Sequence, residues 1–244
     1  MRNLKSSKRK IRKINLISIL TICCCLGLGI IYLMPKQAHS NHNKEQSSTN
    51  YIATVMLDAG HGGYDGGTIA DDGTCEKDIT LDLALETGKQ LQKINPNIKV
   101  VYTRTSDDVS WPEDELKDLN ARISMSKKEK ADYYFSFHIN SNEDPTCSGY
   151  TSYIRKNDKE GKIITKYISN NLSKINWSYD RGTQTTEFYP LHVVDKQKIP
   201  SILFEAGFSS NQEEINALEK KENQKKIGKA IAKAFNKYIT EKED

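Results

Sequence analysis

Residues 54–63 read TVMLDAGHGG, and this stretch decides the fold because an apolar run leads directly into a glycine-rich turn. The run at 54–58 predicts a buried strand, and the turn places His61 just beyond its carboxyl end. Comparable apolar runs, which predict further strands, lie at 99–103, 133–139, 149–154 and 201–205. The first strand is therefore one of several that share a sheet.

Apolar residues at helical spacing lie between these strands. Two helices are predicted over 77–94 and 212–239. Two more are indicated by apolar stripes, one of Leu116, Leu119, Ile123 and Met125, and one of Ile163, Ile164, Tyr167, Ile168 and Leu172. Strands that alternate with helices predict a single layered α/β domain with a largely parallel, twisted sheet flanked by helices. In such sheets, ligands bind beyond the carboxyl ends of the strands.

The N-terminus differs in composition from the rest of the chain. The whole chain has 244 residues and a net charge of +4, but seven basic residues and no acidic ones lie within residues 1–13. The remainder is mildly acidic, which argues against a nucleic-acid-binding protein. Residues 16–34 carry no charge and are long enough to span most of a bilayer.

We therefore predict a cytoplasmic basic tail at 1–13, a signal anchor or transmembrane helix at 14–34, a flexible tether at 35–50 and a folded domain at 51–244. The protein is then exported. Either the helix anchors it to the outer face of the cytoplasmic membrane, or cleavage near Ser40 releases it.

Three runs bring polar side chains to the same predicted edge of the sheet. His61 follows the first strand, His138 ends the strand at 133–139, and Glu205 ends the strand at 201–205. Zinc hydrolases use three ligands of this type and leave a fourth position for water. Glu76 is the candidate third ligand, although its spacing alone fits better with an acidic residue that stabilises a helix start. Glu205 is either a general base or half of a buried ion pair with Arg104 or Arg122.

Five ordered motifs cover nearly the whole domain. They are LDAGHGGYDGG at 57–67, Glu76 followed by KDITLDLA at 77–84, TRTSDD at 103–108 with LNAR at 119–122, SFHINS at 136–141, and IPSILFEAGFSSN at 199–211. Together they resemble the zinc-dependent N-acetylmuramoyl-L-alanine amidases. The residue after Asp65 departs from the family pattern, since Gly66 stands where proline is usual.

The resemblance implies one Zn²⁺ ion on His61, Glu76 and His138, with Glu205 as the catalytic carboxylate. It implies hydrolysis of the amide between the lactyl group of N-acetylmuramic acid and L-alanine in peptidoglycan. Asp58 and Asn140 are expected to support the ligands or to contact the substrate. Arg104 and Arg122 are expected to be structural.

Two exported cysteines lie near these ligands in the sequence. Cys75 adjoins Glu76, and Cys147 lies nine residues after His138. If both ligands meet one ion, the sulfurs come near each other, which suggests a disulfide or a redox-sensitive zinc site.

The chain resembles the germination-specific amidases of spore formers, because it combines an anchor with a bare catalytic domain. That resemblance implies a role in spore cortex peptidoglycan, before muramic-lactam formation. The expected partners are peptidoglycan, the membrane through the N-terminal helix, and a targeting or regulatory protein. Two other functions remain open: a zinc peptidase that cleaves the stem peptide, and a non-hydrolytic wall-binding module built on an amidase scaffold.

Overall fold

The computed structural model describes residues 50–109 and 112–243, which contain six strands and six helices. The strands are β1 (Ala53–Ala59), β2 (Ile98–Tyr102), β3 (Tyr133–Asn140), β4 (Tyr150–Ile154), β5 (Asp180–Thr185) and β6 (Ser201–Phe208). The helices are α1 (Glu76–Ile94), α2 (Glu115–Lys128), α3 (Lys159–Lys174), α4 (His192–Asp195), α5 (Gln212–Leu218) and α6 (Lys221–Glu243). The predicted tail, transmembrane helix and tether lie outside the described residues, apart from Asn50. None of the described helices has the length and apolar character needed to cross a membrane.

The strands form one sheet in the order β2-β1-β3-β6-β4-β5. Four of the five neighbouring pairs are parallel, but β4 runs antiparallel to β6. The α/β layering is therefore confirmed, and the sheet is mixed. The sequence analysis did not predict this reversal, because an apolar run indicates a buried strand without indicating its direction.

Helices cover both faces of the sheet. Apolar side chains of α1, α3 and α6, such as Leu83, Ile168 and Phe235, pack on one face against Phe135 and Phe204. The other face packs against the short helix α4 and against α2. Burial on both faces explains why the central strands have nearly continuous apolar sequences.

One predicted helix was wrong in its bounds, and one strand was missed. The helix predicted over 212–239 is two helices, α5 and α6, separated by residues 219–220. Asn223 donates its side-chain N–H to the Ala217 carbonyl, which adds a hydrogen bond between the end of α5 and the start of α6. Strand β5 was not predicted, because its sequence DRGTQT is polar and mostly exposed at the sheet edge.

Candidate metal centre

His61 lies in a turn at the carboxyl end of β1 and has a left-handed backbone with φ of 62°. Two buried arginines donate hydrogen bonds to backbone carbonyls of this turn. Arg104 donates to the carbonyls of Ala59 at 3.1 Å and Gly60 at 2.9 Å. Arg122 donates to the carbonyls of Ala59 and His61, both at 2.8 Å. An unfavourable backbone conformation persists where its surroundings fix it, so these bonds set the position of the imidazole.

Glu76 is the first residue of α1, and its side chain is buried. Its Oε2 accepts hydrogen bonds from the backbone N–H and the hydroxyl of Thr68, both at 2.9 Å. Its Oε1 accepts from the backbone N–H of Ile139 at 2.8 Å. Gly67, with φ of +69°, passes so close that a Cβ there would lie 2.8 Å from Glu76 Oε2 and 2.7 Å from the His61 ring. The carboxylate is thus fixed on several sides.

The two histidines converge on this carboxylate. His61 Nε2 lies 3.0 Å from Glu76 Oε1, and His138 Nδ1 lies 3.1 Å from the same oxygen. One donor atom from each of the three residues lies within 4.8 Å of the others. Two imidazole nitrogens and a carboxylate oxygen are the donor set of catalytic zinc sites, so the residues present fit one such ion.

Asp65 orients the first imidazole. Its Oδ2 lies 2.7 Å from His61 Nδ1, which leaves Nε2 directed at Glu76. Burial lowers the pKa of His61, but the bonds to Glu76 and Asp65 outweigh this and raise it to about 9. Burial raises the pKa of Glu76, but the two imidazoles hold it well below its usual value. Both shifts arise from the mutual contacts of the imidazoles and the carboxylates in this cluster.

Glu205 lies beside this cluster, on the neighbouring strand. In the sheet register it is paired with His138 on β3. Its Oε2 is buried and has no hydrogen-bond partner among the described residues. Burial raises the pKa of Glu205 to about 7, with His138 and His61 acting against the shift and Glu76 adding to it. A carboxylate with this pKa can take up and release a proton near neutral pH.

The ion-pair alternative for Glu205 finds no support in the contacts of the two arginines. Arg104 bonds backbone carbonyls, and Arg122 forms ion pairs with Asp58 at 2.8 Å and Asp118 at 2.9 Å. The expectation that both arginines are structural agrees with these contacts. A buried carboxylate without such a pair is costly, and this points to a functional reason for its position.

Asp58 is fully buried, which favours the expected role of supporting the ligands over contact with the substrate; both roles stay predictions. It accepts hydrogen bonds from Arg122 at 2.8 Å, Thr103 at 2.7 Å and Ser136 at 2.5 Å. Burial raises the pKa of Asp58, but Arg122 and the hydroxyl groups hold it well below its usual value. Asp58 therefore supports the His61 turn indirectly, by fixing Arg122.

Asn140 ends β3 and is half-buried. Its side-chain Oδ1 accepts from the backbone N–H of Ser141 at 2.7 Å. Side chains two residues apart on a strand share a face, so Asn140 lies on the same face as His138. Its contact with the substrate stays a prediction.

Both cysteines are free thiols in this structure, so it contains no disulfide between them, and the redox-sensitive zinc site stays a prediction. Cys75 Sγ lies 3.8 Å from the Gly73 carbonyl, within its own loop. Cys147 belongs to a different loop, where its N–H bonds Asp144 and its carbonyl accepts from Asn211. Each cysteine is held by its own local contacts.

A cleft of about 700 Å³ opens beside the two imidazoles. Its walls include Tyr64, Leu119, Leu191 and His192, and His192 Nε2 lies 3.0 Å from Asn120 Oδ1. The sequence analysis assigned no role to Asp65 or Thr68, although both bond the candidate ligands. The four-residue spacing from His61 to Asp65, across a glycine-rich turn, is the signal that could have indicated the first of these contacts.

The sequence of this chain matches a known protein family. A family model, Amidase_3, described as N-acetylmuramoyl-L-alanine amidase, matches residues 55–237. The germination-specific N-acetylmuramoyl-L-alanine amidase of Bacillus subtilis is 30% identical over 229 residues, which cover 90% of this chain and 94% of that protein.

Two solved structures have similar folds. The CwlD amidase of Clostridioides difficile, in complex with the GerS lipoprotein, matches with a TM-score of 0.70 and 28% identity, covering 77% of this chain and 98% of that chain. The catalytic domain of the amidase CwlV from Bacillus (Paenibacillus) polymyxa matches with a TM-score of 0.67 and 26% identity, covering 77% and 98%.

Proposed function

The chain belongs to the Amidase_3 family of N-acetylmuramoyl-L-alanine amidases, and from this membership we propose how its site hydrolyses peptidoglycan. It is an N-acetylmuramoyl-L-alanine amidase. We propose that one Zn²⁺ ion is held by His61, Glu76 and His138, and that Glu205 is the general base. The observation that carries this proposal is the convergence of three donor atoms within 4.8 Å beside Glu205, whose buried Oε2 has no hydrogen-bond partner among the described residues.

When bound, zinc would act as a Lewis acid that polarises the scissile carbonyl and acidifies a water molecule. Glu205 would accept a proton from the water whose oxygen adds to the carbonyl carbon, and would deliver it to the L-alanine nitrogen as the C–N bond breaks. In the metal-free structure, burial raises the pKa of Glu205, which favours the uptake of a proton by this carboxylate. The same group therefore serves as base in the first step and as acid in the second.

The remaining contacts keep the reacting groups in place. Asp65 holds the His61 ring, Thr68 holds the Glu76 carboxylate, and the two arginines hold the turn that carries His61. A preorganised site of this kind loses little free energy to rearrangement during the reaction. The cleft beside the imidazoles offers space for the glycan or for the peptide.

We propose that the enzyme acts on spore cortex peptidoglycan in the steps that precede muramic-lactam formation. The supporting observation is the likeness to a germination-specific amidase along nearly its whole length. We propose further that residues 51–244 form the catalytic domain and that the protein is exported, with the N-terminal helix at 14–34 as its anchor unless cleavage near Ser40 removes it. A protein partner is also proposed, because a relative is known in complex with a lipoprotein.

Metal content and product analysis test the assignment of the site residues. His61→Ala should lose zinc and activity, whereas Glu205→Ala should lose activity and keep most of its zinc. His192→Ala is the matched control, since it removes an imidazole outside the cluster and should leave the zinc content unchanged. Release of L-alanine-terminated peptides from intact glycan supports the amidase reaction. Cleavage within the stem peptide would indicate the zinc peptidase, and binding without release would indicate a wall-binding module.

A further inference from the structure

A row of residues crosses the sheet from the candidate metal centre to the edge strand. His138 on β3 pairs with Glu205 on β6, and Glu205 pairs with Thr151 on β4. On β5, the register shifts between the pairs Tyr150–Asp180 and Ser152–Thr183, so the two residues Arg181 and Gly182 lie opposite Thr151. The row therefore brings an arginine to the same edge of the sheet as the metal centre.

The arginine lies on the face that carries the metal centre. Asn140 on β3 pairs with Phe208 on β6, after a register shift that follows the His138–Glu205 pair. Residues paired across a sheet project to the same side. Phe208 therefore shares the face of His138. The guanidinium of Arg181 lies over the Phe208 ring, 5.1 Å from its centroid. Its contact with Phe208 therefore places the guanidinium on that face of the sheet.

The position of this side chain is fixed by local contacts. Arg181 Nη1 donates to the Ser148 carbonyl at 2.9 Å. Gly149, with φ of +112°, makes room for the arginine, since a Cβ there would lie 3.0 Å from its Cγ. Burial and the charge of Glu205 raise the pKa of Tyr153, and the charge of Arg181 partly opposes this increase. Both charged groups therefore act on the hydroxyl of Tyr153. Arg181 is thus an ordered cation near the general base.

No acidic side chain among the described residues forms an ion pair with Arg181. Asp180, its neighbour in sequence, accepts a hydrogen bond from Ser169 on α3, which packs on the other face of the sheet. The guanidinium has five N–H donors, and one of them has a protein acceptor here. The remaining donors are available to a ligand that carries a carboxylate.

We propose that Arg181 binds a carboxylate of the substrate's stem peptide, on the far side of L-alanine from the scissile amide. The inference rests on the amidase function proposed above. Arg181 is thereby a specificity-determining residue that orients the peptide across β6 and β4. Three strand spacings, about 14 Å in all, separate the β3 and β5 backbones. The arginine side chain and two or three extended residues of about 3.4 Å each span that distance.

The experiment uses the zinc-loaded enzyme and soluble peptidoglycan fragments in two forms, one with free peptide carboxylates and one in which these are amidated. For the wild type, amidation should lower kcat/KM about tenfold. Arg181→Gln should lower kcat/KM about tenfold on the free form and remove the discrimination between the two forms. Arg181→Lys should restore part of the discrimination, because it retains the charge. Lys233→Gln, an exposed cation on α6 across the sheet, should behave as the wild type.

Binding to the zinc-loaded Glu205→Gln variant gives a second measurement that does not depend on turnover. Calorimetry should show tighter binding of the free form, and adding Arg181→Gln should abolish that preference. Equal loss of affinity for both forms on adding Arg181→Gln, or equal kcat/KM of the wild type for both, would overturn the role of Arg181. If the preference appears in binding but the parent enzyme frees no L-alanine-terminated peptide, the carboxylate site stands and the proposed function fails.

Discussion

Replacing Glu205 by glutamine should stabilise the metal-free protein while it abolishes most of the activity. Its Oε2 is buried and has no hydrogen-bond partner in the described part of the chain, so ionising the carboxyl in the folded state is unfavourable. Burial raises its pKa from the usual 4.5 to about 7. That gap corresponds to about 3 kcal/mol of stability at a pH well above 7. Glutamine has nearly the same shape and no charge to bury.

Because the pKa of Glu205 is raised in the folded state, the stability advantage of Glu205→Gln should increase with pH. Below pH about 4.5 the carboxyl is protonated in both the folded and the unfolded chain, so the two proteins should have similar stability. Between about 4.5 and 7 the unfolded chain loses its proton first, and the wild type is progressively destabilised. Urea unfolding of the metal-free proteins should therefore show the advantage of Glu205→Gln growing by about 2–3 kcal/mol between pH 5 and pH 8.5.

A second buried glutamate provides the matched control. Glu214 accepts hydrogen bonds from the backbone N–H groups of Gly149 and Phe208 and from the hydroxyl of Ser178. Glu214→Gln should therefore destabilise the protein at pH 8.5, by about 1–3 kcal/mol. A Glu205→Gln variant less stable than the wild type at pH 8.5 would refute the argument from burial. A variant that kept near-normal turnover, rather than losing about 100-fold or more, would refute the catalytic role.

Three further changes test the supports of the site. Asp65→Asn should weaken zinc binding about 10- to 100-fold, as measured by competition with a chelator, because the imidazole loses its charged partner; unchanged affinity would argue against that support. Arg122→Met should cost about 3–5 kcal/mol in urea unfolding, because it leaves Asp58 buried without its cation, whereas Lys99→Met, which breaks an exposed pair, should cost less than about 1 kcal/mol; similar losses would contradict the distinction. Gly67→Ala should reduce zinc content, measured by elemental analysis, because the new Cβ would overlap the ligand cluster, and full zinc occupancy would show that the loop can yield.

The sequence predicted the elements whose residues are buried. The apolar runs of β1, β3 and β6 and the helical stripes of α1 and α3 have periods that burial imposes, and these elements carry His61, His138 and Glu205 to one edge. Glu76 needed the family motif, because an acidic residue at a helix start has an ordinary structural explanation.

The remaining features depend on contacts between distant parts of the chain. Strand β5 lies at the sheet edge and has polar residues, so no periodicity distinguishes it from a loop. The burial of Asp58 is decided by Arg122, which is 64 residues away, and no local pattern indicates that pairing.

The order of the strands gives the segment after β3 an unusual route. Strands β3 and β4 lie on either side of β6, so the connection at residues 141–149 passes the carboxyl end of β6, where it bonds Ser210 and Asn211. Additional residues here would extend into solvent above the entrance and would leave the hydrogen-bonded ladder intact. Changes in the length of this connection can therefore expose or cover the site without altering the sheet.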